Sequence, residues 1–208
     1  MAAPGSTETK PKRQGRPPTI ENARDRILDD AARLFARDGY DGTSLGELAT
    51  SVGVTKAAIY HYFPNKKEIY EVIIVRTLEG LRRHVSQATG AASGPEEALA
   101  RFMTAHADFF EDHYDGFLTM LVGYGGMENV VMIAEAQKLR DEHEQALRRI
   151  IADGMAKGAF RSVDIDVTSR AVLSMLNWMV RWFKPGKGRR AASFAQDYYD
   201  LMFGGLRG

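Results

Sequence analysis

Thr43 to Glu68 reads TSLGELATSVGVTKAAIYHYFPNKKE, and its spacing describes two short helices hinged at a glycine. Ser44 and Glu47 fit the S-x-x-E capping box that opens a helix at Leu45. Leu45, Leu48, Ala49 and Val52 recur at helical spacing and form its apolar side. Gly53 ends it, because glycine enters the left-handed region without a Cβ penalty. Thr55 is placed to cap a second helix, Lys56 to Phe63. Its Ala57, Ile59, Tyr60 and Phe63 cannot all face one small core, so part of this helix must look outward. Asn65 and Glu68 make another capping box and start a third helix. Helix, sharp turn and short outward-facing helix form the unit that lays one helix in the DNA major groove.

Helical periodicity extends in both directions. Ile27, Ala31, Leu34 and Phe35 form the stripe of a first helix that ends at Asp38-Gly39. The helix opened by Asn65 runs from Lys66 towards Gln87, with Ile69, Val72, Ile73, Leu81 and Val85 inward. Gly90 to Gly94 breaks it, and Pro95 suits the first turn of the next helix. Phe102, Ala105, Phe109 and Phe110 share one helix. A shorter one runs from Phe117 to Val122, before Gly123-Tyr124-Gly125-Gly126. A long helix spans Glu128 to Lys157. A strongly apolar one spans Val167 to Phe183 and is stopped by Pro185-Gly186. Ala192 to Phe203 is the last. No β alternation is visible, so the expected fold class is all-α, with about nine helices.

The 208 residues suffice for a sizeable core. With 44% hydrophobic and 26% charged residues the composition is that of a globular protein. The formal net charge is only +1, so affinity for DNA must come from local charge. Lys10, Lys12, Arg13, Arg16, Arg24 and Arg26 supply it, followed by Lys56, Lys66 and Lys67. There is no cysteine, which excludes disulfides and thiolate metal sites. No run of about 18 apolar residues is present, so no membrane span is expected. No apolar stretch follows the N-terminal charges, so a secretory signal is not expected and the chain is placed in the cytoplasm. Asp141-Glu142-His143-Glu144 does not converge on a metal, since adjacent helix residues point to different faces. No nucleophile motif, P-loop or dinucleotide fingerprint occurs, and no cofactor is expected.

Phe35 with Asp38-Gly39-Tyr40, Thr43-Ser44, Leu48-Ala49, Gly53-Val54, Ile59-Tyr60-His61-Tyr62-Phe63 and Lys66-Lys67-Glu68 carry a family likeness. From about residue 20 to 70 the chain resembles the TetR family of one-component bacterial transcription repressors. The resemblance implies a double-stranded operator as partner, bound by a homodimer. It divides the chain into a disordered basic arm (1–18), a three-helix helix-turn-helix DNA-binding domain (19–66) and a ligand-binding and dimerisation bundle (67–208). Lys56, Ala58, Tyr60 and His61 then read the groove. Lys56 reaches phosphate or guanine, and Ala58 meets a thymine methyl. Thr43, Thr55, Tyr62 and Lys66 anchor the phosphate backbone. The last two helices carry more apolar surface than a monomer buries. Their expected use is a two-fold interface, the alternative being the centre of one bundle.

Asn177-Trp178-Met179-Val180-Arg181-Trp182-Phe183-Lys184-Pro185-Gly186 resembles the TetR subgroup that responds to acyl-CoA thioesters. Asp164-x-Asp166, Arg170 and Tyr199-x-Leu201-Met202-x-Gly204-Gly205-Leu206 add to the likeness. Arg170, Asn177 and Arg181 share one helix face among apolar neighbours. Buried arginines require anionic partners. These are either a CoA phosphate or carbonyl, or Glu135, Asp141 and Glu142 across a dimer. Trp182, Phe110 and His113 complete the candidate ligand set, with His106, Tyr114 and Tyr124 as further polar handles beside Phe109 and Phe110. The small-molecule effector is thus an acyl-CoA or, alternatively, a lipophilic drug. A helical enzyme with a DNA-binding unit lacks a catalytic constellation, and a nucleoid protein would carry more positive charge.

Overall fold

The computed structural model describes residues 22–121 and 134–204. Among them are nine α-helices, a 3-10 turn and no strand. The helices are α1 (Ala23–Gly42), α2 (Leu45–Val52), α3 (Lys56–Tyr62), α4 (Lys66–Gly90) and α5 (Pro95–Asp112). They continue as α6 (Tyr114–Leu121), α7 (Ala134–Ala156), α8 (Ile165–Trp178) and α9 (Ala191–Gly204). The basic arm, the glycines around Tyr124, the expected start of the long helix at Glu128 and Gly205-Leu206 lie outside the described residues.

The local signals at the short helices act as their chemistry requires. Ser44 accepts from the Glu47 N–H, and the Glu47 carboxylate accepts from the Ser44 N–H, closing the capping box of α2. Gly53 follows with φ 77°, where its N–H reaches back to α2 carbonyls. Thr55 caps α3 through the Ala58 N–H, and Asn65 caps α4 through the Glu68 N–H. α1 continues past the expected stop, with a kink at Gly39 (φ 76°, ψ 170°) that redirects its last turn.

Two hydrophobic cores form, and α4 serves both. Ile27, Leu28, Ala31 and Phe35 of α1 meet Leu48 and Val52 of α2 and Ile59 and Phe63 around α3. Ile69, Tyr70, Ile73 and Ile74 of α4 close this core, with Ala136 and Leu139 of α7 beneath. Further along, Leu81 and Val85 join Phe102, Phe110, Phe117, Leu147, Val172 and Phe183 in the C-terminal core. α4 approaches α5 closely at Gly80, where a Cβ would lie 2.6 Å from the Phe109 ring. That ring is backed by His113, stacked at 3.9 Å, so it has little room to yield.

A buried polar junction joins the units. The Thr119 hydroxyl on α6 donates to the Ala32 carbonyl on α1 at 3.1 Å. The Tyr70 hydroxyl on α4 donates to the Thr119 carbonyl at 3.0 Å. Three helices therefore meet at one threonine that is fully buried.

The expected apolar helix to Phe183 is instead two pieces. α8 stops at Trp178, and Met179–Arg181 winds as a 3-10 turn. The Trp182 and Phe183 N–H groups both return to the Met179 carbonyl. This tighter winding buries Met179, Val180 and Phe183 and leaves Trp178 and Trp182 exposed. Asp164 caps α8 through the Val167 N–H. At the far end Arg190 binds Asp108, Glu111 and Asp112, fastening the start of α9 to α5.

Candidate nucleic-acid interface and effector region

α3 is held from one side only. Ile59 and the capping residue Phe63 are fully buried. Thr55, Lys56, Ala57, Tyr60, His61 and Tyr62 are exposed, and Ala58 is half-buried. Tyr60 retains 49% of its surface and Tyr62 37%, large values for rings beside a core. The Lys56 ammonium lies 6.0 Å from the centre of the Tyr60 ring, and His61 packs edge-on to Tyr62. The face thus presents a cation, two phenols and an imidazole on a rigid helix, a set of donors suited to phosphates and base edges.

Two of the residues expected to hold the DNA backbone are turned inward. Thr43 is 3% exposed, and its hydroxyl donates to the Gly39 carbonyl at 2.9 Å. It closes the kink of α1 and offers no hydroxyl to a phosphate. Lys66 is half-buried, and its ammonium donates to the Tyr40 carbonyl at 2.8 Å and the Thr43 carbonyl at 2.9 Å. It also lies 4.3 Å from the centre of the Tyr40 ring. The lysine at the start of α4 is therefore a clamp on the α1–α2 elbow. Both corrections have one cause. The kink at Gly39 leaves carbonyls without helical partners, and nearby donors satisfy them first.

The expected ligand row on α8 does not face the interior. Arg170 and Arg181 are exposed, and the Arg181 guanidinium sits 5.5 Å over the Trp178 ring. The 3-10 turn advances each residue further than an α-helix does, so Arg181 is rotated about 60° beyond where a continuous α-helix would place it. The buried-arginine argument fails with that geometry. Asn177 alone of the three is half-buried. Trp182 is 42% exposed and packs edge-on to Phe194. Phe110 is buried among Tyr114, Phe117 and Phe183. His113 is exposed, with Nδ1 at 3.1 Å from the Phe109 carbonyl. The six residues are distributed over an outer face, a core and a groove.

That groove, of about 750 Å³, lies where α1, α4 and the α5–α6 corner meet. Phe109, Ile73 and Leu28 supply apolar lining; Arg33, Arg76, Arg83, His84 and His113 line it with positive or titratable groups. Asp29, Glu111, Asp112 and Asp115 also line it. Most of these carboxylates are engaged: Asp29 binds Arg76 at 3.0 Å, and Glu111 and Asp112 bind Arg190. Among the described residues Arg83 makes no ion pair. Sequence spacing could not find this groove, because its walls come from four helices far apart in the chain.

Inside the C-terminal core, Nδ1 of His106 lies 3.2 Å from Nε2 of His143. Burial pushes the His143 imidazole down to about 4. It also pushes His106 well below its ordinary value, and the neighbouring His143 adds to that shift. The Asn177 side chain opposes the shift, while Nε2 of His106 makes no hydrogen bond of normal length. Both rings are therefore neutral near pH 7.

Replacing Lys66 with Met keeps the stem and removes the ammonium from two part-buried carbonyls. The expected result is a loss of about 1–3 kcal/mol of stability in urea unfolding. Unchanged stability with weaker DNA binding would return Lys66 to the phosphate backbone.

Residues 27–73 match the family model of bacterial regulatory proteins of the tetR family. Residues 92–206 match the tetracyclin repressor-like C-terminal domain. The transcriptional repressor KstR2 of Mycolicibacterium smegmatis is 26% identical over 184 residues, spanning 88% of this chain and 90% of that protein. The structure of the TetR family regulator PfmR from Thermus thermophilus superposes with a TM-score of 0.80 at 44% identity, over 88% of this chain and 100% of that one. AibR, solved with isovaleryl coenzyme A and operator DNA, shares the fold at 24% identity and a TM-score of 0.76, over 87% of this chain and 97% of its own. With both halves matched and PfmR similar along its whole length, the chain belongs to the TetR family of bacterial transcriptional regulators.

Proposed function

We propose that this regulator represses transcription as a homodimer on a pseudo-palindromic operator and leaves it when an acyl-CoA thioester binds. The observation that carries the DNA part is the outward face of α3. Ile59 and Phe63 fix the helix, and Lys56, Ala58, Tyr60 and His61 are free to enter the groove. Thr55 and Tyr62 flank them and hold the phosphates. Repression follows from occupancy of the operator, as the family's name for its members implies.

The dimer reading rests on apolar surface. Val167 and Trp178 of α8 keep 65% and 64% of their area, and Leu201 and Phe203 of α9 keep 44% each. Tyr199 and Phe203 are stacked at 4.4 Å near this surface. Large apolar side chains left exposed on the last two helices favour pairing with a copy of the same chain. Half-site recognition by two α3 helices then follows from the two-fold axis.

The effector reading rests on the groove beside α1. Arg83 offers a guanidinium there that no carboxylate of the described residues engages, matched to phosphate by its rigid fork of donors. The Arg76–Asp29 bridge crosses the same groove from α4 to α1. A polyanionic ligand that recruits Arg76 would loosen the DNA-binding unit from α4. The binding of isovaleryl-CoA by AibR supports this class of ligand. A cationic drug is the second reading, favoured by Asp115 and the other groove carboxylates. Their engagement with arginines weighs against it.

Tyr60→Ala and His61→Ala should abolish operator shifts and leave circular dichroism unchanged, since both side chains are exposed. Retained affinity in both would remove α3 as the reading helix. Trp178→Glu and Leu201→Glu should each give monomer in light scattering; two dimeric variants would place the interface elsewhere. A panel of short, long and aromatic acyl-CoAs, beginning with isovaleryl-CoA, should weaken operator binding with a coupling of ~1–3 kcal/mol. The free acids should not. Arg83→Leu should keep DNA affinity and blunt that release. Release by lipophilic cations alone, with no acyl-CoA bound in calorimetry, would establish the drug-sensor reading instead.

A further inference from the structure

Three polar side chains cross the apolar interior of the C-terminal bundle: His143 of α7, His106 of α5 and Asn177 of α8. His106 is 1% exposed and His143 7%. Their 3.2 Å contact uses Nδ1 of His106 and Nε2 of His143, so one ring donates and the other accepts. Carbon surrounds them. The Phe102 ring is centred 4.8 Å from His143, and Phe117 is 5.7 Å from His106. The far nitrogen of His106, Nε2, has no hydrogen-bond partner, alone among the buried side-chain nitrogen and oxygen atoms of the described residues. Orphaned buried polar atoms are rare and call for a cause. A phenylalanine in the same space would carry no such atom.

We propose that Nε2 of His106, with Asn177 beside it, holds the carbonyl oxygen of the effector inside the bundle. The inference rests on the reading above that a thioester enters this domain. With the His143 Nε2–H donating to Nδ1 of His106, the His106 proton sits on Nε2 and is presented to a carbonyl. The rings are neutral, so the grip selects an uncharged oxygen and gives a carboxylate no compensating charge. Asn177 adds an amide donor from the opposite helix. Two rings stand between the groove and the site, Phe109, which lines the groove, and Phe117, which lies 6.1 Å from Phe109 and abuts His106, so entry from the groove requires them to move. Phe117 also links the site to the DNA-binding unit. It precedes Thr119 by two residues on α6, and Thr119 holds the Ala32 carbonyl of α1. A ligand seated at His106 displaces Phe117 and with it that bond.

The test compares matched probes in calorimetry against wild-type protein, His106→Phe, His106→Gln and Asn177→Leu. One probe is the acyl-CoA, beginning with isovaleryl-CoA; its match is the S-alkyl-CoA thioether, identical but for the carbonyl. His106→Phe should bind operator as wild type does; it removes the unpaired Nε2 but also the His143 partner, so its melting temperature decides nothing. It should bind the acyl-CoA about tenfold more weakly, the worth of one good hydrogen bond in a dry site, and the thioether equally well. His106→Gln, which keeps a donor, should recover part of the loss, and Asn177→Leu should show the same preference for loss on the acyl-CoA. Equal losses on both probes, or no loss on either, would overturn the proposal and assign the pair to structure or to a buried water. If no CoA compound binds wild type, the effector class proposed above is wrong. The same comparison with S-ethyl thioesters and their ethyl thioethers then decides the carbonyl grip by itself. Absence of binding, or of discrimination by His106→Phe, would overturn it there too.

Discussion

α4 buries Ile69, Tyr70, Ile73 and Ile74 in the N-terminal core and Leu81 and Val85 in the C-terminal one. A single helix of 25 residues therefore obeys two packing arrangements at once. It is anchored at its start by the Asn65 cap and by Lys66, which grips the Tyr40 and Thr43 carbonyls. It is pressed against α5 at Gly80 and against α6 near Thr77, where a Cβ on Gly116 would lie 2.7 Å from the Thr77 hydroxyl. Close-packed interfaces of this kind do not deform gradually. α4, stiff and held along its length, is the continuous element between the C-terminal core and the turn that supports α3.

The Thr119 junction supplies a second route that bypasses the length of α4. Its hydroxyl serves α1 and its carbonyl is served by α4, at 3.1 and 3.0 Å. Hydrogen bonds weaken steeply beyond such distances, so a shift of α6 by about an ångström would forfeit both. The groove where an effector is proposed to enter is lined by α1, α4 and the α5–α6 corner, the elements this junction ties together. An effector in that groove, as proposed, would act directly on these bonds and would need no distant relay.

The parts of this arrangement that the sequence made legible are those governed by neighbours three or four residues apart. The Ser44–Glu47 box, the Thr55 cap, the left-handed Gly53 and the apolar stripe of α2 depend on local chemistry, and each stands where spacing placed it. The exposed side of α3 was legible for a related reason, since a short helix between two others lacks the contacts to bury every face. What escaped depends on distance along the chain or on a change of winding. Lys66 reaches carbonyls 23 and 26 residues away. The partnership of His106 with His143 spans 37 residues. Arg181 left its expected face because the chain tightened into a 3-10 turn to bury Met179, Val180 and Phe183. Periodicity assumes constant winding and cannot register that change.

The two cores treat their buried polar groups differently. Thr43, Thr77 and Thr119, around the DNA-binding unit and its junction, each donate to a main-chain carbonyl. Of these only the Thr119 bond crosses between helices, and with the Tyr70 bond to the Thr119 carbonyl it ties α6 to α1 and α4. The C-terminal core leaves one imidazole nitrogen unmatched. An unpaired buried group costs about 1–3 kcal/mol, a sizeable share of the roughly 5–15 kcal/mol that holds a domain together. On the proposal above, a ligand that supplies the missing partner recovers that cost on binding. The division between a saturated core that holds the reading helix and an unsaturated core beside it is what a regulator answering to a small molecule requires.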